Sequence, residues 1–290
     1  MSTEADAVAP APGIPEAPLL RELEGRVLIL TLNRPQRLNA LTPELHGQLR
    51  EAVEHAARDP EVGALVLTGS GHAFCSGGDL GGSGGDLGGS GGDLGGRNQS
   101  QAPLTLEQKA DELRHHGETA RLLHQMPKPT VAMLNGVAAG AGLALALACD
   151  LRIASHAAVL TTAYAKVALS GDLGVSYFLT HLVGAAKAAE LLFLSEKVDA
   201  TEAQRLGLVN RVLEAAALRD STLQLARQLA HGPSVAFRYM KRNLASAQTG
   251  SLQAVLESEA YGMARCGRTQ DVKEAAAAFK EKRPAVFKGC

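Results

Sequence analysis

Hydrophobic positions along the chain fall into two rhythms. In the first part, short compact apolar runs alternate with longer stretches whose apolar residues recur every third or fourth position. Residues 26–32 (RVLILTL) form one such run, ended by the turn Asn33-Arg34-Pro35. Residues 64–68 (ALVLT) form a second, leading into Gly69-Ser70-Gly71, and residues 130–134 and 151–154 form two more. Compact apolar runs bounded by turn residues are the pattern of buried strands. Between the first two, Thr42-Pro43 opens a helix expected to reach about Arg58, just before Asp59-Pro60. Threonine serves there as N-cap, and proline stands in the first turn, where its missing N–H costs nothing. Strands alternating with helices predict an α/β fold with parallel pairing.

After about residue 174 the period becomes helical. Asp199 with Glu202 three positions on makes a capping-box start, and Gly207 suits a helix end. Residues 220–231, 233–248, 251–265 and 269–282 read as amphipathic helices, with Pro284 as a stop. The chain therefore divides into a tail over 1–17, a core over 18–213 and a helical region over 214–290. The last region is too thin for a core of its own. It is expected to pack on the core and on a neighbouring subunit.

Two stretches need a separate reading. Residues 131–149 form an apolar run long enough to cross a membrane, but Asn135-Gly136 interrupts it and Asp150 and Arg152 follow directly. A strand, a turn and a buried Ala-rich helix explain it better. The second stretch is SGGDLGG, written three times in tandem over 76–96. Its period is far below that of a solenoid unit, so a duplication inside a loop is the simple explanation. Gly81 to Asp86 and Gly88 to Asp93 resemble the start of a calcium-binding GGxGxD repeat, but the period is seven rather than nine, and Gly88 stands where an apolar residue belongs.

Composition narrows the function classes. Of 290 residues, 46% are hydrophobic, so a sizeable core can form, filled by Ala, Leu and Val because Trp is absent. Lys and Arg number 29 against 30 Asp and Glu, and no basic excess points to nucleic acid. Cys75, Cys149, Cys266 and Cys290 are far apart and make neither a zinc signature nor a disulfide framework. Cys75 and Cys149 read as small core residues. The first residues are acidic and Pro/Ala-rich rather than basic and then apolar, so a secretory signal is not expected. Cytoplasm is the expected compartment, and neither a metal nor a membrane is expected as partner.

Several segments together resemble the enoyl-CoA hydratase/isomerase (crotonase) family. They are Asn33-Arg34-Pro35 through Asn39-Ala40-Leu41, then residues 73–80 (AFCSGGDL), then Pro127-Lys128-Pro129 running into residues 135–142 (NGVAAGAG), with Cys149-Asp150 after it. Residues 205–209 (RLGLV) and 281–287 (EKRPAVF) complete the set. The resemblance spans about residues 19–288 and implies a spiral of ββα units, a C-terminal helical region, and trimers or pairs of trimers. It implies an acyl-coenzyme A thioester as substrate, with no cofactor beyond the coenzyme A that the substrate carries.

The residues make physical sense of that resemblance. A thioester gains negative charge on its carbonyl oxygen as a proton leaves the α-carbon, and two fixed N–H donors stabilise that charge where it develops. Gly77-Gly78 allows close backbone approach, and Gly140-Ala141-Gly142 opens a helix whose N-terminus carries partial positive charge. The resemblance implies that the donors are the backbone N–H groups of Gly78 and Ala141. It also places Gly77, Asp79 and Leu80 beside the ligand, with Arg37 and the C-terminal Lys280 and Lys282 near the coenzyme A phosphates.

The chain departs from a typical hydratase, whose two glutamates are matched here by Ala144 and Tyr164. Alanine moves no proton, and tyrosine, with a reference pKa near 10, is a poor base at neutral pH. Asp172 remains. Family members with an aspartate at the matching position include isomerases and a dehalogenase, and one carboxylate suffices to carry a proton from carbon to carbon. Asp172 could also simply cap a helix over 174–183. Gly117 stands where the dehalogenase-type member has its histidine, and His115 and His116 read as a solvated pair on a polar helix face. The chain is expected to be an enoyl-CoA isomerase with Asp172 as proton shuttle. The alternatives are a hydratase of altered mechanism and a crotonase-fold binding subunit without catalysis.

Overall fold

The computed structural model describes residues 17–79 and 104–290. The expected tail (apart from Ala17), Leu80 and both calcium-like segments lie outside the described residues.

The chain opens with a hairpin: β1 (Leu19–Glu24) and β2 (Val27–Leu32) pair antiparallel. From β2 onward the large sheet is parallel, through β3 (Ala64–Gly69), β5 (Thr130–Leu134), β7 (Leu151–Ser155) and β10 (Arg211–Leu213). A second, smaller sheet takes β4 (Ala73–Cys75), β6 (Val137–Ala139), β8 (Val159–Thr161) and β9 (Val198–Asp199), in that order. The chain thus steps repeatedly from the large sheet to the small one and returns by helix. Strands β1, β4, β8 and β9 carry no long apolar run, and β6 is only three residues within one, so the sequence pattern did not announce them.

The two faces of the large sheet divide by alternate residues, as the pleat requires. Leu30, Leu32, Leu65, Leu67, Ala132 and Leu134 face the main core. Val27, Ile29, Val66, Val131, Met133 and Ile153 face the other way, where α6 (Ala215–Ala230) covers them with Leu218, Leu223, Ala226 and Ala230. With both faces covered, these strands are mostly apolar, and the buried Thr68, Thr130 and Arg152 side chains are hydrogen-bonded. Each fully buried Leu, Ile or Val contributes about 1.5–3 kcal/mol.

Helices α1 (Pro43–Arg58) and α2 (Leu106–Gln125) pack against each other beside that core. The Thr42 hydroxyl accepts a 3.2 Å hydrogen bond from the Leu45 N–H, as expected of an N-cap. A capping box at Thr105 and Gln108 starts α2. Every residue of α3 (Ala141–Ala148) is buried, so the long apolar run becomes β5, a turn, β6 and an inner helix. Helix α4 (Val175–Leu194) runs past its expected end, with a non-helical break at Gly184. Among the described residues it is the one helix apolar and long enough to cross a membrane, but Phe178, Leu179, Ala188 and Leu191 pack into the main core.

Asp199 caps α5 (Ala200–Arg205), accepting from the Glu202 N–H at 2.8 Å. The remaining helices, α7 (Ser234–Thr249), α8 (Leu252–Cys266) and α9 (Gln270–Glu281), bury little. Leu252 and Met263 are about three-quarters exposed, and Phe279 is 86% exposed.

Candidate active site

The site is built on a turn that precedes α1. Leu38 and Asn39 both adopt the left-handed conformation, and Asn39 is completely buried. Its side-chain amide donates to the Ser70 and Ala73 carbonyls at 2.9 and 2.8 Å, and its oxygen accepts from the Arg34 N–H at 2.9 Å. Asparagine is among the few residues with a side chain that visit this conformation readily. So fixed, the chain presents Leu41 to the Gly77–Asp79 segment. The Leu41 N–H donates to the Gly77 carbonyl at 2.8 Å, and the Asp79 N–H donates to the Leu41 carbonyl at 3.0 Å.

The second turn comes from β6 and α3. Because β4 and β6 are parallel neighbours, the turns that follow them meet although they lie far apart in sequence. Gly77 has φ of +99°, and a Cβ there would stand 3.0 Å from the Ala139 carbonyl oxygen and 3.5 Å from the Ala141 nitrogen. Gly142 is held closer still. A Cβ on it would overlap the carbonyl and side chain of Cys75, so glycine alone lets α3 seat against β4.

Both turns border a cavity of about 130 Å³. Gly78 and Ala141 line it, and neither backbone N–H has a partner among the described residues. Ala141 is the first residue of α3, where an N–H has no intrahelical acceptor and the helix dipole favours negative charge. Two unspent donors at one cavity are suited to an oxygen that gains charge.

Asp172 and Tyr164 supply the opposite chemistry. The Tyr164 hydroxyl donates to the Asp172 carboxylate at 2.5 Å, and both residues line the cavity. Burial raises the Asp172 pKa above the usual carboxylate range, and the Tyr164 hydrogen bond pulls the other way. Burial first, and then the Asp172 charge, push the Tyr164 phenol well above its ordinary value. Tyrosine therefore acts here as a permanent donor, and the carboxylate it holds is able to accept a proton. The Asp172 side chain caps no helix. Gly174 occupies the N-cap of α4, and only the Asp172 backbone carbonyl takes part, accepting from the Val175 N–H at 3.0 Å.

The other expected site residues divide. Gly77 lies in the cavity wall. Asp79 stands next to it, ion-paired to Arg34 at 2.8 Å and to Arg37 at 3.1 Å. Lys282 is the exposed C-cap of α9 and does not line the cavity. Leu80 falls outside the described residues. Ala144 is buried within α3 and offers no group to the cavity.

The histidine reading requires a correction. His115 is exposed, but the next residue turns inward: His116 is half-buried and lies flat on the His46 ring, with centroids 4.2 Å apart and planes 5° apart. Both rings line the cavity. His46 was not singled out in the sequence, although it lies three residues before Leu49 and seven before Val53 on the buried stripe of α1. A histidine at such a spacing was the available signal.

Comparison with known proteins then decides the family. The family model for enoyl-CoA hydratase/isomerase matches residues 22–290. The chain belongs to the enoyl-CoA hydratase/isomerase family. Within this family it is similar to 1,2-epoxyphenylacetyl-CoA isomerase of Escherichia coli, with 36% identity over 93% of this chain and 98% of that protein. It is also similar to short-chain-enoyl-CoA hydratase of Clostridium acetobutylicum, with 31% identity over 91% of this chain and 95% of the other. A crystal structure of an enoyl-CoA hydratase from a Polaromonas species superposes with a TM-score of 0.82 at 33% identity, covering 93% of this chain and 99% of that one. The family fold and an acyl-coenzyme A substrate follow, and family members carry both activity names.

Proposed function

We propose that this family member isomerises a carbon–carbon double bond in an acyl-coenzyme A thioester. The thioester oxygen is held by the N–H groups of Gly78 and Ala141. Asp172, as carboxylate, takes a proton from the α-carbon of a 3-enoyl thioester, and the electron pair left behind spreads through the double bond as a dienolate whose charge lies on the thioester oxygen. The same carboxyl then returns its proton to the other end of the conjugated system. No water is added and no bond other than carbon–hydrogen is broken. The observation that carries this reading is a half-buried carboxylate sharing a cavity with two backbone donors that have no partner among the described residues. Ala144 and Tyr164, in place of the glutamates of a hydratase, favour proton transfer over hydration. Burial that raises the Asp172 pKa makes it a stronger base than an ordinary carboxylate.

On the same reading, Gly77, Asp79 and Leu80 flank the thioester, and Arg37 meets the coenzyme A phosphates. Lys282 lies away from the cavity of its own chain, so its contribution goes to the ligand of a neighbouring subunit. The exposed Leu252, Met263 and Phe279 side chains support assembly into trimers or pairs of trimers through the C-terminal helices. Two fully buried free thiols, Cys75 and Cys149, each pushed up to about 12 by burial, suit a reducing cytoplasm.

The test is turnover of matched 2-enoyl and 3-enoyl thioesters by the native protein and by Asp172→Ala. The expected result is interconversion of the two by the native protein and a loss of about 10²–10⁴ in the variant, with thioester binding retained. Hydration of the 2-enoyl thioester, unaffected by the substitution, would favour the altered hydratase. Binding without turnover in the native protein would favour the non-catalytic subunit.

A further inference from the structure

The cavity wall also holds chemistry that the isomerisation does not use. Pro43 and His46 come from α1 and its start, and Leu113 and His116 from α2. Apart from the two imidazoles, these four are apolar. His46 is 7% exposed, and its Nδ1 is sealed from solvent with no hydrogen-bond partner among the described residues. Among the described residues, no group bonds its other ring nitrogen, and none bonds the ring nitrogens of His116. Buried polar side chains are ordinarily satisfied, because an unpaired one costs stability that a leucine of similar size would not cost. Both residues line the cavity; with Nδ1 of His46 enclosed, Nε2 of that ring and the nitrogens of the half-buried His116 are the groups open to a ligand.

Their state is also defined. Burial and the neighbouring ring lower the His46 pKa to about 3, and burial lowers that of His116 as well, against the nearby Glu112. Both are neutral near pH 7, and each neutral ring has one N–H donor and one acceptor nitrogen. A stacked neutral pair can therefore meet a hydroxyl or carbonyl, but it offers no charge for a carboxylate.

We infer that His46 and His116 are specificity-determining residues that bind an uncharged oxygen function on the acyl group, so that the protein prefers hydroxylated or otherwise oxygenated acyl thioesters to plain hydrocarbon ones. The inference rests on the acyl-coenzyme A reading above, because the cavity must receive the acyl group. A site built to hydrogen-bond a substrate oxygen discriminates against the analogue that lacks it, since its own polar groups are then left unpaired.

The experiment measures equilibrium binding by calorimetry, with no turnover required. Hexanoyl-coenzyme A is compared with its β-, γ- and ω-hydroxy derivatives, on the native protein and on His46→Phe and His116→Phe. Phenylalanine keeps a flat ring for stacking and removes both nitrogens. Thermal unfolding of each variant confirms its fold, and the half-buried position of His116 makes that variant the safer of the two. At least one hydroxylated thioester is expected to bind the native protein roughly tenfold more tightly than hexanoyl-coenzyme A, a preference that falls to within about twofold in the variants. Equal binding of all thioesters by the native protein, or a preference that survives both substitutions, would overturn the inference while leaving the isomerase reading intact. Failure of every thioester to bind would overturn both.

Discussion

The phenol of Tyr164 donates a 2.5 Å hydrogen bond to the carboxylate of Asp172, eight residues on. The resemblance drawn from the sequence matches Tyr164 to a glutamate of a hydratase, and in the proposed mechanism the phenol serves as a fixed donor to Asp172. That bond favours the ionised carboxylate, whereas burial favours the protonated one, and the net effect is a raised pKa.

Tyr164→Phe removes only the opposing influence. The Asp172 pKa is expected to rise further, moving the acid limb of the pH profile of kcat/KM to higher pH. Turnover at neutral pH falls accordingly, and part of it returns as the pH is raised. A profile that scales down uniformly without shifting would show that the phenol does not act on the carboxylate.

A second consequence concerns stability. A carboxyl whose folded-state pKa exceeds its unfolded value binds its proton more tightly when folded. Folding stability therefore declines as pH rises through the window between the ordinary carboxylate value and the raised one. Asp172→Asn removes that penalty. The variant is expected to melt above the native protein at neutral pH, each 1 kcal/mol gained being worth about 2–4 °C in a domain of this size. The advantage should vanish below the ordinary carboxylate range, and melting curves across pH measure it.

The Asn39 side chain ties the first turn to the strand ends, donating to the Ser70 and Ala73 carbonyls and accepting from the Ser70 hydroxyl, while its oxygen also accepts from the Arg34 N–H. Asn39→Ala leaves the Ser70 and Ala73 carbonyls short of a donor and puts alanine in a left-handed conformation. About 2–4 kcal/mol of stability should be lost, read as a lower urea midpoint with an unchanged slope.

Gly142→Ala tests the seating of α3. The added methyl group meets Cys75 backbone and side chain, and α3 must move away from β4. Overpacking of this kind costs about 1–3 kcal/mol. Because the same movement shifts the Ala141 N–H, turnover is expected to fall by far more than thioester binding. Separate measurement of kcat and of affinity decides it.

The sequence was most informative where local chemistry governs structure. Thr42-Pro43 and Asp199 start helices where their side chains can cap, and β2, β3, β5 and β7 lie where compact apolar runs stand, because burial on both faces leaves few polar positions. The glycine turns were legible through their residues, and the parallel β4–β6 pair explains why they meet. The rest depends on tertiary contact. The three-residue strands of the small sheet have too few positions for a period. The His46–His116 stack joins α1 to α2 across seventy residues, and periodicity within one helix carries no information about the ring on the other. For Asp172, helix capping and ligand chemistry make the same demand of the sequence. The position of Tyr164 distinguishes them.

The most direct test of enolate formation is exchange of the α-protons of a saturated acyl-coenzyme A in heavy water, followed by NMR. A saturated thioester can neither isomerise nor hydrate, so exchange reports deprotonation beside the carbonyl alone. The native protein is expected to accelerate it. Asp172→Asn, which removes the base, and Ala141→Pro, which removes an N–H at a helix position that tolerates proline, should each slow it about a hundredfold or more while the thioester still binds. Exchange that proceeds undiminished in both variants, or fails to occur with the native protein bound, would contradict the account.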